Sequence, residues 1–142
     1  MKIKTAELKG AALNYAVAVA EGWTIYLPGK LMWLKRGVDA RNSPITKPLD
    51  SLKYSSDWAL GGPIFDRKDI NVVRCNDLYF PKGNEYGQYY EPYFKASLHA
   101  PLRGGGPVQF GPSRLIAGLR LVVFQELGDE VDIPDELLEN QS

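Results

Sequence analysis

The 142-residue chain has one cysteine, Cys75, one histidine, His99, and no formal net charge. A lone thiol cannot close an intrachain disulfide, which favours a reducing compartment. One thiol and one imidazole fall short of the four N or S ligands of a structural zinc site, so any metal would need oxygen donors and no cofactor is expected. No stretch approaches the ~18 consecutive apolar residues of a membrane span. Glu7, Lys9 and Asn14 interrupt the apolar N-terminal run before it could act as a signal-peptide core. The expectation is a soluble intracellular protein with no membrane partner. Without a continuous basic stripe the chain also lacks the phosphate-neutralising surface of a strong duplex binder.

What is present is ordinary for a globular domain: 44% hydrophobic and 24% charged residues, enough for one core. A single domain over residues 1–142 is expected, with 134–142 as a frayed tail. Charge is unevenly spread. Residues 1–74 carry 12 Lys/Arg against 7 Asp/Glu, and residues 75–142 carry 5 against 10. That polarity suits subunit contact in a homo-oligomer or an anionic ligand, or it is neutralised within the fold.

Hydropathy periodicity assigns the elements. Lys2–Lys4 reads as a short strand, and apolar positions between Ala6 and Glu21 recur at helical spacing with Gly22 as the stop. Trp23–Leu27 and Leu31–Lys35 form a hairpin around Pro28-Gly29-Lys30, its aromatic residues and Met32 assigned to packing. Arg36 to Lys53, polar and carrying Pro44 and Pro48, reads as a long exposed loop. Ile70–Cys75 and Tyr93–Leu98 read as strands, with Leu78–Phe80 continuing or pairing with the first and residues 100–107 flexible. The clearest helix opens at Pro112 or Ser113 and ends at Gly128, apolar at Leu115, Ile116, Leu119, Val122, Val123 and Leu127. The acidic end that follows reads as solvated. The fold class expected is α+β: a small, mainly antiparallel sheet with an N-terminal and a C-terminal helix packed on one side.

The densest chemistry lies in residues 54–70. Ser56 or Asp57 can cap a short helical turn, which Gly61-Gly62 ends, with Pro63 imposing a chain reversal. As a ligand loop, this stretch offers open Gly61 and Gly62 amides to an anion, with Arg67 as counter-charge and Trp58 as stacking surface. As a plain turn before a strand, it uses Trp58 as a core anchor, the commoner outcome. Without a following Gly-Lys-Ser/Thr it is not a phosphate loop. A second stretch, 81–94, holds four of the eight tyrosines, a composition suited to a planar ligand or a protein partner, and equally to covering a core edge. His99 has no nearby Ser–acid constellation to make it a general base.

Three groups of residues together carry a resemblance: Leu13 with Ala16-Val17-Ala18 and Ala20-Glu21; Tyr54-Ser55-Ser56-Asp57-Trp58-Ala59 with Gly61-Gly62-Pro63-Ile64; and Gly111 through Arg120 with Leu127 through Pro134. With these the chain resembles the bacteriophage NinX-like family, which implies a small accessory phage protein acting in the host bacterial cytoplasm. It departs from the family pattern at Asn14-Tyr15, where Asp-Trp is frequent, and at Ser113-Arg114, where Thr-Pro is. A ligand site spanning those positions could therefore differ here.

Three functions compete. The first is capture of a nucleotide-like small molecule, such as a host defence signal, by Asp57, Trp58, Gly61, Gly62, Arg67, Tyr89, Tyr90 and Arg114, because glycine turns and helix starts cradle phosphate and rings stack on bases. The second is docking on a host protein through residues 83–93 or the acidic tail. The third is acid/base or magnesium-assisted catalysis by a pair among Asp57, Asp66 and Asp69. Turns bearing several carboxylates are usually just solvated, so binding without catalysis is preferred.

Overall fold

The computed structural model describes residues 1–29, 32–75, 93–98 and 106–138. Its organising element is the helix α3, Arg114–Leu127, which is buried on several sides at once. Ser113 caps its start by accepting from the Ile116 N–H at 3.1 Å, and Gly128 ends it with φ +92°, a conformation that favours glycine. One side of α3, through Leu119, Val122 and Val123, packs with Leu13, Ala16 and Val17 of α1, Gly10–Ala20. Another lies on an antiparallel sheet of β5 (Ile70–Cys75), β6 (Tyr93–Leu98) and β7 (Val108–Gly111), where Ala117 and Leu121 meet Ala96, Val72 and Phe94. The small residues at these contacts let backbones approach closely. A Cβ on Gly111 would sit 2.8 Å from the Ala117 nitrogen.

The α+β architecture with antiparallel pairing and a packed N- and C-terminal helix pair is as expected, but the strands divide among three small sheets. β1 (Lys2–Lys4) pairs with β8 (Glu130–Asp132), Ile3 opposite Val131. A hairpin of β2 (Thr24–Leu27) and β3 (Trp33–Val38) forms with part of the expected turn, Lys30 and Leu31 lying outside the described residues. In that hairpin Trp23 and Met32 are core residues, whereas Tyr26 and Trp33 are exposed.

Residues 36–53 are not a long loop. β3 runs on to Val38, and β4, Pro44–Pro48, pairs with it. Both prolines are accommodated because β4 is an edge strand whose outer N–H groups need no partner. The turn between them is closed by Asp39, whose Oδ1 accepts from the N–H groups of Arg41 and Ser43. Leu49 and Leu52 then drop into the core.

The N-terminal helix is also shorter than its periodicity suggests. Thr5–Glu7 form a separate 3-10 turn, and Gly10, at φ +54°, interrupts any continuous helix before α1. Thr5 is buried, donating its hydroxyl to the Gly128 carbonyl at 2.6 Å and its amide to the Asp129 carbonyl. The acidic end is more than a solvated tail: its described carboxylates are exposed, but Val131, Ile133 and Leu137 are buried, and Asp135–Leu138 form a short helix, α4. Of the expected frayed segment, residues 139–142 lie outside the described residues. Among the described residues no helix is long and apolar enough to cross a membrane.

Candidate functional site

The stretch 54–70 departs most from its sequence reading. Asp57 is an N-cap, its carboxylate accepting from the Ala59 N–H at 2.9 Å. The helix that follows does not stop at the glycines. It is α2, Trp58–Lys68, eleven residues running through Gly61, Gly62 and Pro63 to Asp69, which closes it in the left-handed region at φ 55°. The Gly61 N–H is already spent on the Asp57 carbonyl at 3.0 Å, and Gly62 lies one residue further along the same hydrogen-bonded spiral. Gly61 is glycine for packing: a Cβ there would stand 2.5 Å from Leu115 Cδ1 and 3.2 Å from the Tyr54 carbonyl oxygen. Neither glycine is an anion cradle, and there is no reversal at Pro63.

What the packing of α2 on α3 creates instead is a groove at the starts of both helices. It has a volume of about 390 Å³ and is lined by Ser55, Ser56, Trp58, Phe94, Pro112, Ser113, Arg114 and Leu115. Trp58 is not a core anchor. The residue is 52% exposed and its ring meets Phe65 edge-on, the ring centroids 5.6 Å apart at 81°. Phe65 is held in turn against Gly118 of α3, where any Cβ would overlap its ring. Arg114 lies over the Phe94 ring with its guanidinium carbon 5.1 Å from the centroid, and donates to the Val72 carbonyl at 3.2 Å. The Ser55 amide donates to Asn14 Oδ1 at 2.8 Å, so one rim of the groove is tied to α1. Asn14 and Ser113-Arg114, where the chain departs from the resembled pattern, therefore lie beside or in this groove.

Two of the eight sequence-predicted site residues, Trp58 and Arg114, thus line one groove, with Asp57 adjoining it as a cap. Gly61 and Gly62 are interior to α2. Arg67 is elsewhere: at the far end of α2 it pairs with the Glu21 carboxylate, which already neutralises it. Tyr89 and Tyr90, like His99 and most of the tyrosine-rich stretch, lie outside the described residues. Asp57 and Asp66 are nine residues apart on one helix, about 13 Å by helical rise, too far to act as a carboxylate pair.

Ser55, Ser56, Phe94 and Ser113 line the groove without having been assigned to a ligand. Ser113 was legible as a helix start. Phe94 was not, because it reaches the groove only through the pairing of β6 with its neighbours, Phe94 opposite Gly111. Around the groove Tyr54 is buried, and that burial raises its phenol above the usual tyrosine range. Further along α3, Arg120 is half-buried and donates to the Leu8 carbonyl at 2.9 Å and the Phe110 carbonyl at 2.8 Å, and burial lowers its guanidinium pKa.

In comparison with known families, residues 4–125 match the family model described as Bacteriophage P22, NinX. No curated protein matches the chain.

Proposed function

The chain belongs to the bacteriophage NinX family, and from that premise we propose that this phage accessory protein captures a nucleotide-like anion in the groove at the starts of α2 and α3, in the host bacterial cytoplasm. The observation that carries the reading is the meeting of Trp58 and Arg114, far apart in sequence, in one groove. An exposed indole gives a base a face to stack on. A guanidinium beside the first turn of a 14-residue helix suits phosphate, because that turn carries the positive end of the helix dipole. The two helix starts are not equivalent: the Asp57 carboxylate holds a negative charge at the start of α2, whereas α3 is capped by a neutral hydroxyl. The phosphate is therefore directed to Arg114 and the base to Trp58. Capture without turnover is sufficient to withdraw a host defence signal from its receptor.

The test is thermal denaturation against a panel of mononucleotides, cyclic oligonucleotides and ADP-ribose-like compounds. At 100 times Kd a ligand stabilises by about 2.7 kcal/mol, which for this chain length raises Tm by roughly 5–10 °C. Trp58→Ala and Arg114→Gln should each abolish that rise. A flat response across the panel at millimolar concentration refutes the proposal, as does a rise that both variants retain.

A further inference from the structure

The outer face of the β2–β3–β4 sheet carries a feature that the groove does not explain. The pairing shifts between Ile25 and Leu27, so that Leu27 rather than Tyr26 is opposite Trp33. Such a bulge turns two successive side chains toward the same side. Tyr26 and Leu27 therefore share a face with Trp33 and, two residues on, with Lys35, whose ammonium lies 5.9 Å from the Tyr26 ring centroid. The opposite face is the inner one, since Leu34 is fully buried. On the outer face Tyr26 is 46% exposed, Leu27 52% and Trp33 37%, with Thr46 opposite Lys35 and Pro48 opposite Trp33.

Charge identifies the occupant. Residues 24–48, which build this sheet, hold five Lys/Arg against one acidic residue, Asp39, in a chain that is neutral as a whole. The Asp39 carboxylate is engaged by the Arg41 and Ser43 amides, and Arg36 is committed to the Glu21 carbonyl and the Trp23 ring. Lys35 and Arg41 have no acidic partner among the described residues, whereas Lys47, opposite Leu34, belongs to the other face. Exposed rings interleaved with an ammonium and a hydroxyl, on a basic sheet, match the chemistry of unpaired bases on a phosphate chain rather than the continuous apolar surface of a dimer core.

We propose that this face binds single-stranded nucleic acid, with bases stacked on Trp33 and Tyr26 and phosphates taken by Lys35 and by Arg41 in the turn after β3. Two cations are too few for strong duplex affinity, and they set the salt dependence. With two phosphates neutralised, raising salt from 50 to 200 mM weakens single-strand binding about sevenfold.

The experiment is fluorescence anisotropy of a labelled 15-nucleotide oligo-dT, and of a duplex of equal length, titrated with the full chain. Expected are saturable single-strand binding at 50 mM salt, at least tenfold preference over duplex, the stated salt effect, and roughly tenfold loss in each of Trp33→Ala and Tyr26→Ala. Both side chains are exposed, so circular dichroism should show both variants folded. Val73→Ala, which removes an equally exposed apolar side chain on β5, should leave affinity unchanged. Absence of binding at 100 μM protein, equal affinity for duplex, or full affinity in both ring variants overturns the proposal. So does a sedimentation-detected dimer that Trp33→Ala dissociates, because a second copy would then cover this face.

Discussion

Pro63→Ala distinguishes a helix through the Gly-Gly-Pro sequence from a turn. Pro63 is the sixth residue of α2 and is exposed. At that position it withholds the N–H that the Ala59 carbonyl would accept, and its ring crowds that carbonyl. Interior proline is about 3 kcal/mol worse than alanine in a helix. Removing it also restores freedom to the unfolded chain, which offsets about 0.5–1 kcal/mol. The net expectation is a gain of about 2 kcal/mol, seen as a Tm increase of roughly 4–8 °C and a higher urea midpoint at unchanged m-value. The side chain lies away from the groove, so ligand binding there should be untouched. If Gly61-Gly62-Pro63 were a reversal, proline would instead pre-set the turn and its loss would lower Tm. A Tm that falls or stays level in Pro63→Ala refutes the helical assignment and the groove geometry built on it.

Gly61→Ala should lower stability by about 1 kcal/mol in urea denaturation, because overpacking against Leu115 and the Tyr54 carbonyl costs ~1–3 kcal/mol and outweighs a helix-propensity gain of ~1 kcal/mol. Ser113→Ala removes the cap of α3 and should cost about 1 kcal/mol, with Ser113→Asp recovering the loss in the same melts. Stability should also fall at alkaline pH. The Tyr54 phenol is raised in the folded state, so its contribution is complete below the unfolded value near 10 and is lost as pH rises through the folded value. In Tyr54→Phe the part of the decline due to this group should vanish from Tm measured between pH 9 and 11.

Local signals were sufficient wherever one residue type had one structural meaning. Ser113 and Gly128 bracket α3, and Val72 and Val73 sit within β5. They failed where punctuation residues were used for a non-local reason. Gly61 is glycine because Leu115, fifty-four positions away, occupies the space a side chain would need, and no window of sequence around residue 61 contains that fact. Pro44 and Pro48 read as loop residues because their position at an edge is decided by which strand pairs with β3. Tyr26 and Trp33 read as packing residues, and only the bulge between Ile25 and Leu27 brings Tyr26 onto the outer face with Trp33.

The same distinction explains why the contiguous site dissolved while two of its members came together. Residues 54–70 were grouped because they adjoin in sequence, but an eleven-residue helix separates its two ends by about 15 Å. That rise carries Arg67 to Glu21 and leaves Asp57 and Trp58 at the opposite pole. Once Gly61 and Gly118 allow α2 and α3 to approach closely, the start of each helix adjoins the other, and Arg114 becomes the cation beside Trp58 that Arg67 cannot be. A groove formed this way depends on the packing of two helices rather than on a loop. Enlarging either glycine should therefore weaken ligand binding and fold stability together, whereas Arg114→Gln should weaken binding alone.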